Sequence, residues 1–253
     1  MGGCRLVDSF AVAGSESVVD TQGPKGKVVT FEHSGVEVSF LVVNELDHIQ
    51  RFHLYEGIYE LAELRIISKH FPQDGVFLDI GSNVGNHAIY AAKFLQARSV
   101  IAIEANPAAF AILQANVELN DLHHVIETDF LGFGLSDAEG RARAFVKDQN
   151  NLGGGKLIAD EQGTIPVVTG DALLGDRRVD FLKLDVEGME LRVLEGLKGV
   201  VTAQRPPIFV EVDDANLDAF LAWVEANAYE IVERYRRYRA NENYMLVPSK
   251  KTG

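Results

Sequence analysis

The chain has 253 residues, 47% of them hydrophobic, and a mean hydropathy of +0.00, which suits a globular protein with a substantial core. Its formal net charge is −13 and its pI about 5.0, so its overall field repels polyanions and disfavours a nucleic-acid partner. A single cysteine, Cys4, excludes an intramolecular disulfide and a cysteine-based zinc site, and fits a reducing, cytoplasmic setting.

At the start, MGGCRLVDSF carries Gly2, but Leu6 stands where a myristoylation signal has Ser or Thr, and no basic run precedes an apolar stretch. No lipid anchor or signal peptide is expected. Nor is a membrane partner, because no apolar run approaches the roughly 20 residues of a membrane span. Residues 11–26 are rich in Gly, Ser and Asp and read as a mobile lead-in. KVVTFEHSGVEVSFLVV then reads as a β-hairpin turning at Ser34 and Gly35. In YELAELRIISKHF, Leu61, Leu64, Ile66 and Ile67 share one stripe of a helix.

From residue 76 onward, apolar runs alternate with helical patterns. The expected order is a strand over 76–80, a helix from about Gly85, strand SVIAIE, helix PAAFAILQANVELN and strand HVIETDF, followed later by strand DFLKLD, helix MELRVLEGLKGV and strand PIFVEV. Such alternation implies a mostly parallel sheet with helices on both faces. Residues 132–168 depart from it and suggest extra strands around a flexible loop. The expected organisation is a lead-in and hairpin over 1–55 followed by one compact domain over 56–253.

The first strand-to-helix turn, DIGSNVG, is where open parallel sheets bind ligands. Gly81 and Gly85 stand four apart with Asn83 between them, which does not match the G-x-G-x-x-G spacing of dinucleotide sites. The turn also lacks the Lys and Ser/Thr of a phosphate-gripping P-loop. A nucleotide without a pyrophosphate fits better, and a nicotinamide oxidoreductase is disfavoured. Glu104 ends the second strand 23 positions after Gly81, close to the roughly 20 expected of an acid that accepts ribose hydroxyls.

Five segments, VFLDIGSNVGNHAIYAAKF, VIAIEANPAAFAILQANVELN, VDFLKLDVEGMELRVLEGL, PPIFVEV and NYMLVP, together resemble the FkbM-type S-adenosylmethionine-dependent methyltransferases over about residues 55–248. The block KLDVEGMELRVLEG is the most specific of them. The resemblance implies a Rossmann-like methyltransferase fold with a seven-stranded sheet whose last strand is antiparallel. It also implies S-adenosyl-L-methionine as cofactor and O-methylation of hydroxyls on sugars or natural products. By motif, it places Asp79, Gly81, Asn83 and Gly85 along the methionine part of the cofactor, Ser82 and Asn86 in the same turn, Glu104 at the ribose, and Asn106 in the turn that follows.

A methyl group activated by a sulfonium leaves the protein two tasks: aligning the acceptor and, for a hydroxyl, taking its proton. Strand alternation sends Lys183 and Asp185 to one side of KLDVEG, with Asp185 and Glu187 at its carboxyl rim. Asp185, Glu187 and Lys183 are therefore the candidate catalytic residues, and Glu211 is a third rim acid. The plainer alternative makes Glu187 and Gly188 a helix-opening turn.

No metal is expected. An arrangement of Asp185 with Asp213 and Asp214 around magnesium, as in catechol-type methyltransferases, is the alternative, while DDAN also fits a cap on the helix LDAFLAWVEA. His87 reads as a packing residue rather than a base. NNLGGG is a gate over the cofactor or a plain surface connection. The run RYRRYRANENY is a solvated hairpin face or, as the alternative, a site for an anionic substrate. The expected partner is a small-molecule or carbohydrate substrate, with a catalytically inactive cofactor-binding module as the competing function and the oligomeric state left open.

Overall fold

In the computed structural model, residues 23–148 and 150–250 are described. Cys4, the segment in which no lipid anchor or signal peptide is expected, and most of the expected lead-in lie outside the described residues. The first elements are strands β1 (Lys27–His33) and β2 (Val36–Val42), paired antiparallel from Lys27 opposite Val42 to His33 opposite Val36. Ser34 and Gly35 both take positive φ, 51° and 78°, as a two-residue hairpin turn demands. Helices α1 (His48–Tyr55) and α2 (Leu61–His70) follow.

The main sheet contains β3 (Val76–Ile80), β4 (Ser99–Ile103), β5 (Ile126–Glu127), β10 (Phe181–Leu184), β11 (Ile208–Asp213), β12 (Tyr229–Tyr235) and β13 (Asn241–Pro248). Its order is β12-β13-β11-β10-β3-β4-β5. The pairings from β5 to β11 are parallel, and β13 runs antiparallel to both β11 and β12. The sheet is therefore mixed: its antiparallel last strand is the one the resemblance implies, while the expectation of a mostly parallel sheet is corrected. The chain returns from β12 through a short turn, and a tight turn can join only antiparallel strands. Every residue of β3 is buried, as both faces of a parallel strand require, including the carboxylate of Asp79.

Helices α3 (Asn86–Phe94), α4 (Pro107–Leu119) and α2 pack with the hairpin on one face. Phe77 and Phe181 stack there at 5.4 Å between ring centres. The short helix α5 (Gly170–Leu174), with α6 (Glu190–Gly196), α7 (Lys198–Gln204) and α8 (Leu217–Ala226), covers the other face.

The helix expected over MELRVLEGLKGV is two helices broken at Leu197. Gly196 lies where a Cβ would come within 2.1 Å of the Ser136 carbonyl oxygen, so the backbone approaches too closely for any other residue. Two asparagines, Asn116 within α4 and Asn120 at its C-cap, tie the hairpin down. Asn116 accepts from the Leu41 N–H at 2.6 Å, and Asn120 both accepts from the Ser39 N–H and donates to the Ser39 carbonyl.

Between β5 and α5, four short strands form a separate sheet in the order β6-β9-β7-β8: β6 (Gly134–Leu135), β7 (Gly140–Phe145), β8 (Lys156–Ala159) and β9 (Ile165–Val168). This sheet stands at the carboxyl ends of the central strands. Among the described residues, no helix is long and apolar enough to cross a membrane.

Candidate active site

The turn after β3 is wedged between the ends of β4 and β10. The N–H groups of Gly81 and Ser82 both donate to the Ile103 carbonyl, at 2.9 and 3.1 Å. Gly81 has φ 75°, and a Cβ there would lie 1.8 Å from the Asp185 carbonyl oxygen. Only glycine lets the turn pass this close to the end of β10.

Glu104 joins this turn to α4. Its two carboxylate oxygens accept from the N–H groups of Asn83 and Asn106, each at 2.8 Å. Burial pushes its pKa up, and those two hydrogen bonds pull it back down. Asn106 caps α4 through a bond from the Ala108 N–H, while its own amide nitrogen is buried without a partner.

Asp79 lies beneath the turn, fully buried. Its Oδ1 is 3.3 Å from Lys183 Nζ, which also donates to the Gly81 carbonyl at 2.8 Å and lies 3.7 Å from Asp185 Oδ2. Burial alone would lower the pKa of the Lys183 ammonium. The charges of Asp79 and Asp185 override that and hold it above its ordinary value.

Two cavities open at this end of the sheet. The first, about 720 Å³ with the adjoining open solvent included, runs past Ile103, Glu104, Asn106, Phe133, Leu135 and Leu157. The second, about 1360 Å³ on the same measure, is walled by Tyr59, Glu60, His87, Glu211, Tyr238 and Asn241 among others. They meet at Gly81, Asn83, Gly153, Asp185 and Glu187, which line both.

The structure sorts the sequence candidates by position. Gly81, Asn83, Glu104 and Asn106 line the first cavity; Ser82, Asn86 and Lys183 line only the second; Asp79 and Gly85 line neither. Asn86 clamps Tyr59 through both its amide groups, accepting from the Tyr59 N–H and donating to its carbonyl. Ser82 donates from Oγ to the Asp79 carbonyl, so both residues shape the turn from within.

The three rim acids Asp185, Glu187 and Glu211 converge, each placing one carboxylate oxygen within 4.8 Å of the others. Glu187 sits in the left-handed region at φ 50°. Burial, then the Asp185 charge, raises its pKa to about 7. Burial and the charges of Asp185, Glu60 and Glu187 raise Glu211 to about 9. The grouping of Asp185 with Asp213 and Asp214 does not form: Asp213 lies 3.7 Å from Lys156, and Asp214 accepts from Arg236 at 2.9 Å.

The arginine run is likewise engaged elsewhere. Arg237 forms a two-pronged pair with Glu63, Arg236 binds Asp214 and Glu242, and Arg234 lies over the Tyr244 ring. None of the run's arginines lines either cavity.

Two positions at the site escape sequence reasoning. Glu60 takes φ 58° at the start of α2, which turns its carboxylate inward to within 3.6 Å of His87 Nε2. Burial and the charges of Asp185 and Glu63 raise its pKa to about 8. Asp47 caps α1 through bonds from the Ile49 and Gln50 N–H groups, and its other oxygen accepts from the Leu152 N–H at 2.9 Å. The NNLGGG loop is thereby held over both cavities. A Cβ on Gly153 would come within 2.8 Å of the Asn83 amide nitrogen.

A seven-stranded sheet in this order, with a glycine turn on its first strand and an acid ending its second, defines the Rossmann-like methyltransferase class of fold. Among solved structures, the tRNA m1G37 methyltransferase of M. jannaschii superposes with a TM-score of 0.52 at 15% identity, over 92% of this chain and 57% of that one. Streptococcus pneumoniae Sp1610, in complex with S-adenosyl-L-methionine, does so at 0.51 and 16%, over 76% and 75%. Residues 79–233 match the Methyltransferase FkbM domain, and the chain belongs to that family.

The hexuronic acid methyltransferase AglP of Haloferax volcanii is 31% identical over 66% of this chain and 66% of its own length. Methyltransferase 1 of Beauveria bassiana is 29% identical over 60% and 68%. The AMB antimetabolite synthetase AmbE of Pseudomonas aeruginosa is 25% identical over 72% of this chain. The chain spans 10% of that synthetase and about two thirds of the other two relatives.

Proposed function

We propose that the protein is an S-adenosylmethionine-dependent methyltransferase that methylates a hydroxyl of a sugar or small natural product. The observation that carries this reading is the meeting of two cavities at Asp185 and Glu187: one is suited to a nucleoside, and the other is open to an acceptor. Two orphan groups support the cofactor assignment. Asn83 Oδ1 and Asn106 Nδ2 are buried without partners, so a ligand bringing both a donor and an acceptor would satisfy them.

Glu104 retains lone pairs for ribose hydroxyls beyond the two backbone donors it already holds. Ile103, Phe133, Leu135 and Leu157 offer an apolar slot for a flat ring. When bound, S-adenosylmethionine supplies a methyl group already activated by its sulfonium. Asp79 acts from below, holding Lys183 and through it the turn and Asp185.

Asp185 orients the acceptor hydroxyl at the seam of the cavities, and Glu187 takes its proton. A carboxylate with a pKa of about 7 is matched to that work near neutral pH.

Two measurements test the reading. S-adenosylhomocysteine should bind in calorimetry, and tritiated methyl should pass from S-adenosylmethionine into pools of hydroxylated small molecules. With an acceptor in hand, Glu187→Gln should lower turnover by the roughly 10² to 10⁴ of general base catalysis while cofactor affinity persists. Asp185→Asn serves as the comparison that assigns the base, and activity in EDTA tests for a metal. Near wild-type turnover by both variants would leave alignment alone as the mechanism. Cofactor affinity without any transfer would favour a binding module.

A further inference from the structure

Resting on the methyltransferase reading, the acceptor cavity has a chemical bias of its own. Its walls carry Glu60, Asp148, Asp185, Glu187 and Glu211 against the cations Arg51 and Lys183. Lys183 is already engaged by Asp79, Asp185 and the Gly81 carbonyl. Arg51 is exposed on α1, at the cavity's solvent side. Among the described residues, no N–H or O–H group donates to the carboxylates of Glu60 or Glu187, although the two are partly buried.

His87 points the same way independently of the acids. Only 6% exposed, it lines the cavity with an Nε2 that has no hydrogen-bond partner, 3.6 Å from Glu60 Oε2. Burial, then the charges of Lys183 and Arg237, drives its pKa well below the ordinary value, so the ring is neutral and one of its nitrogens is an acceptor. Among the described residues Glu60 and Glu187 have no donor, Glu211 accepts from Asn241 at 2.7 Å, and a group that brings positive charge together with N–H donors relieves the mutual repulsion of these crowded acids. An ammonium has three N–H donors and no acceptor. An anionic group would add to the negative charge that already raises the pKa of Glu60, Glu187 and Glu211, and Arg237, the cation of the run whose charge reaches His87, is already paired with Glu63.

We propose that the acceptor is an amine-bearing polyol, such as an amino sugar or an aminocyclitol, whose ammonium is held by Glu60, Glu211 and His87 while a neighbouring hydroxyl faces Asp185. The acceptor class thus differs from that in the name of the hexuronic acid relative. Tyr59 and Tyr238 stand on the same wall with their hydroxyls hydrogen-bonded to each other.

The test uses the full chain and begins with calorimetry of S-adenosylhomocysteine, since a failure there overturns the methyltransferase reading itself. Tritiated methyl transfer from S-adenosylmethionine is then measured into three pools: aminoglycosides with aminocyclitols, the same compounds N-acetylated, and neutral glycosides with uronates. The proposal expects label in the amine pool at least tenfold above the acetylated pool.

Glu211→Gln and Glu60→Gln should each cut that preference at least tenfold while leaving S-adenosylhomocysteine affinity unchanged, which also certifies their folding. Equal labelling of amine and acetylated pools, label confined to neutral or uronate compounds, or no label anywhere by a protein that binds S-adenosylhomocysteine overturns the proposal. So does calorimetric binding of magnesium or manganese that an amine probe fails to displace, because the acids would then serve a metal.

Discussion

Removing the Glu104 side chain should damage stability and cofactor binding together, because one carboxylate holds two parts of the site. Its oxygens accept from the N–H groups of Asn83, in the turn after β3, and Asn106, at the start of α4, each at 2.8 Å. Hydrogen bonds to a charged group contribute about 1.5–3 kcal/mol each. The same substitution relieves the cost of burying the carboxylate, which lowers the net loss in Glu104→Ala to about 2–4 kcal/mol. In a chain of this length that corresponds to a fall of about 4–16 °C in Tm.

With the turn released, affinity for S-adenosylhomocysteine should fall at least tenfold, about 1.4 kcal/mol. Glu104→Gln should lie between, since its amide retains one acceptor oxygen but turns an NH₂ group toward a backbone donor. Denaturant unfolding at constant m, together with calorimetry, measures both effects. An alanine variant within about 0.5 kcal/mol of wild type and with unaltered affinity would refute the stapling role.

Lys183→Met should cost about 3–5 kcal/mol, because it strands the buried Asp79 carboxylate, and adding Asp79→Asn should recover most of the loss; additive losses in chemical denaturation would show that the two do not act as a pair. Asp47→Ala should lower stability by about 1–2 kcal/mol and speed limited proteolysis within residues 148–155, where the Leu152 tether is lost; an unchanged cleavage rate there would sink the tether. Stability should also depend on pH through Glu60 and Glu211, whose folded pKa values of about 8 and 9 lie above the ordinary 4.5. The folded state then holds protons that the unfolded state releases, so the stabilisation is complete below about 4.5 and is lost as pH rises to about 9, at up to about 1.4 kcal/mol per unit for each group. The Tm should therefore fall between pH 6 and pH 9, and Glu211→Gln should flatten the slope; a Tm that rises over this range would contradict the sign.

The parts of the fold legible in the sequence are those written in local periodicity. Val76–Ile80 announces a buried strand by its unbroken apolar run, and Leu61, Leu64 and Ile67 announce a helix by their spacing. Ser34-Gly35 announces a hairpin by its tolerance of positive φ. The glycine turn and the acid ending β4 are readable for the same reason, since each is a few residues at a set distance along one chain segment. The return of β13 against β11 is a pairing between segments and leaves no such local mark. The break at Leu197 has no local sign, and the close approach of the neighbouring Gly196 to the Ser136 carbonyl joins positions 60 apart in the chain.

The site divides in the same way. Asp185 and Glu187 were legible because a strand's carboxyl rim is where such sheets place their chemistry. Their convergence with Glu211 depends on β11 lying beside β10, which only the strand order decides. Glu60 reads as one more surface acid in YELAEL until its left-handed backbone turns it against His87, a residue of the helix after the glycine turn. Asp79, placed by its motif among the ligand contacts, becomes a buried counter-charge because Lys183 occupies the neighbouring strand in register with it. Local sequence thus set which segments would be strands, helices and turns, since those preferences act over a few residues. Tertiary structure alone decided which carboxylates share one cavity, because that depends on contacts between segments far apart in the chain.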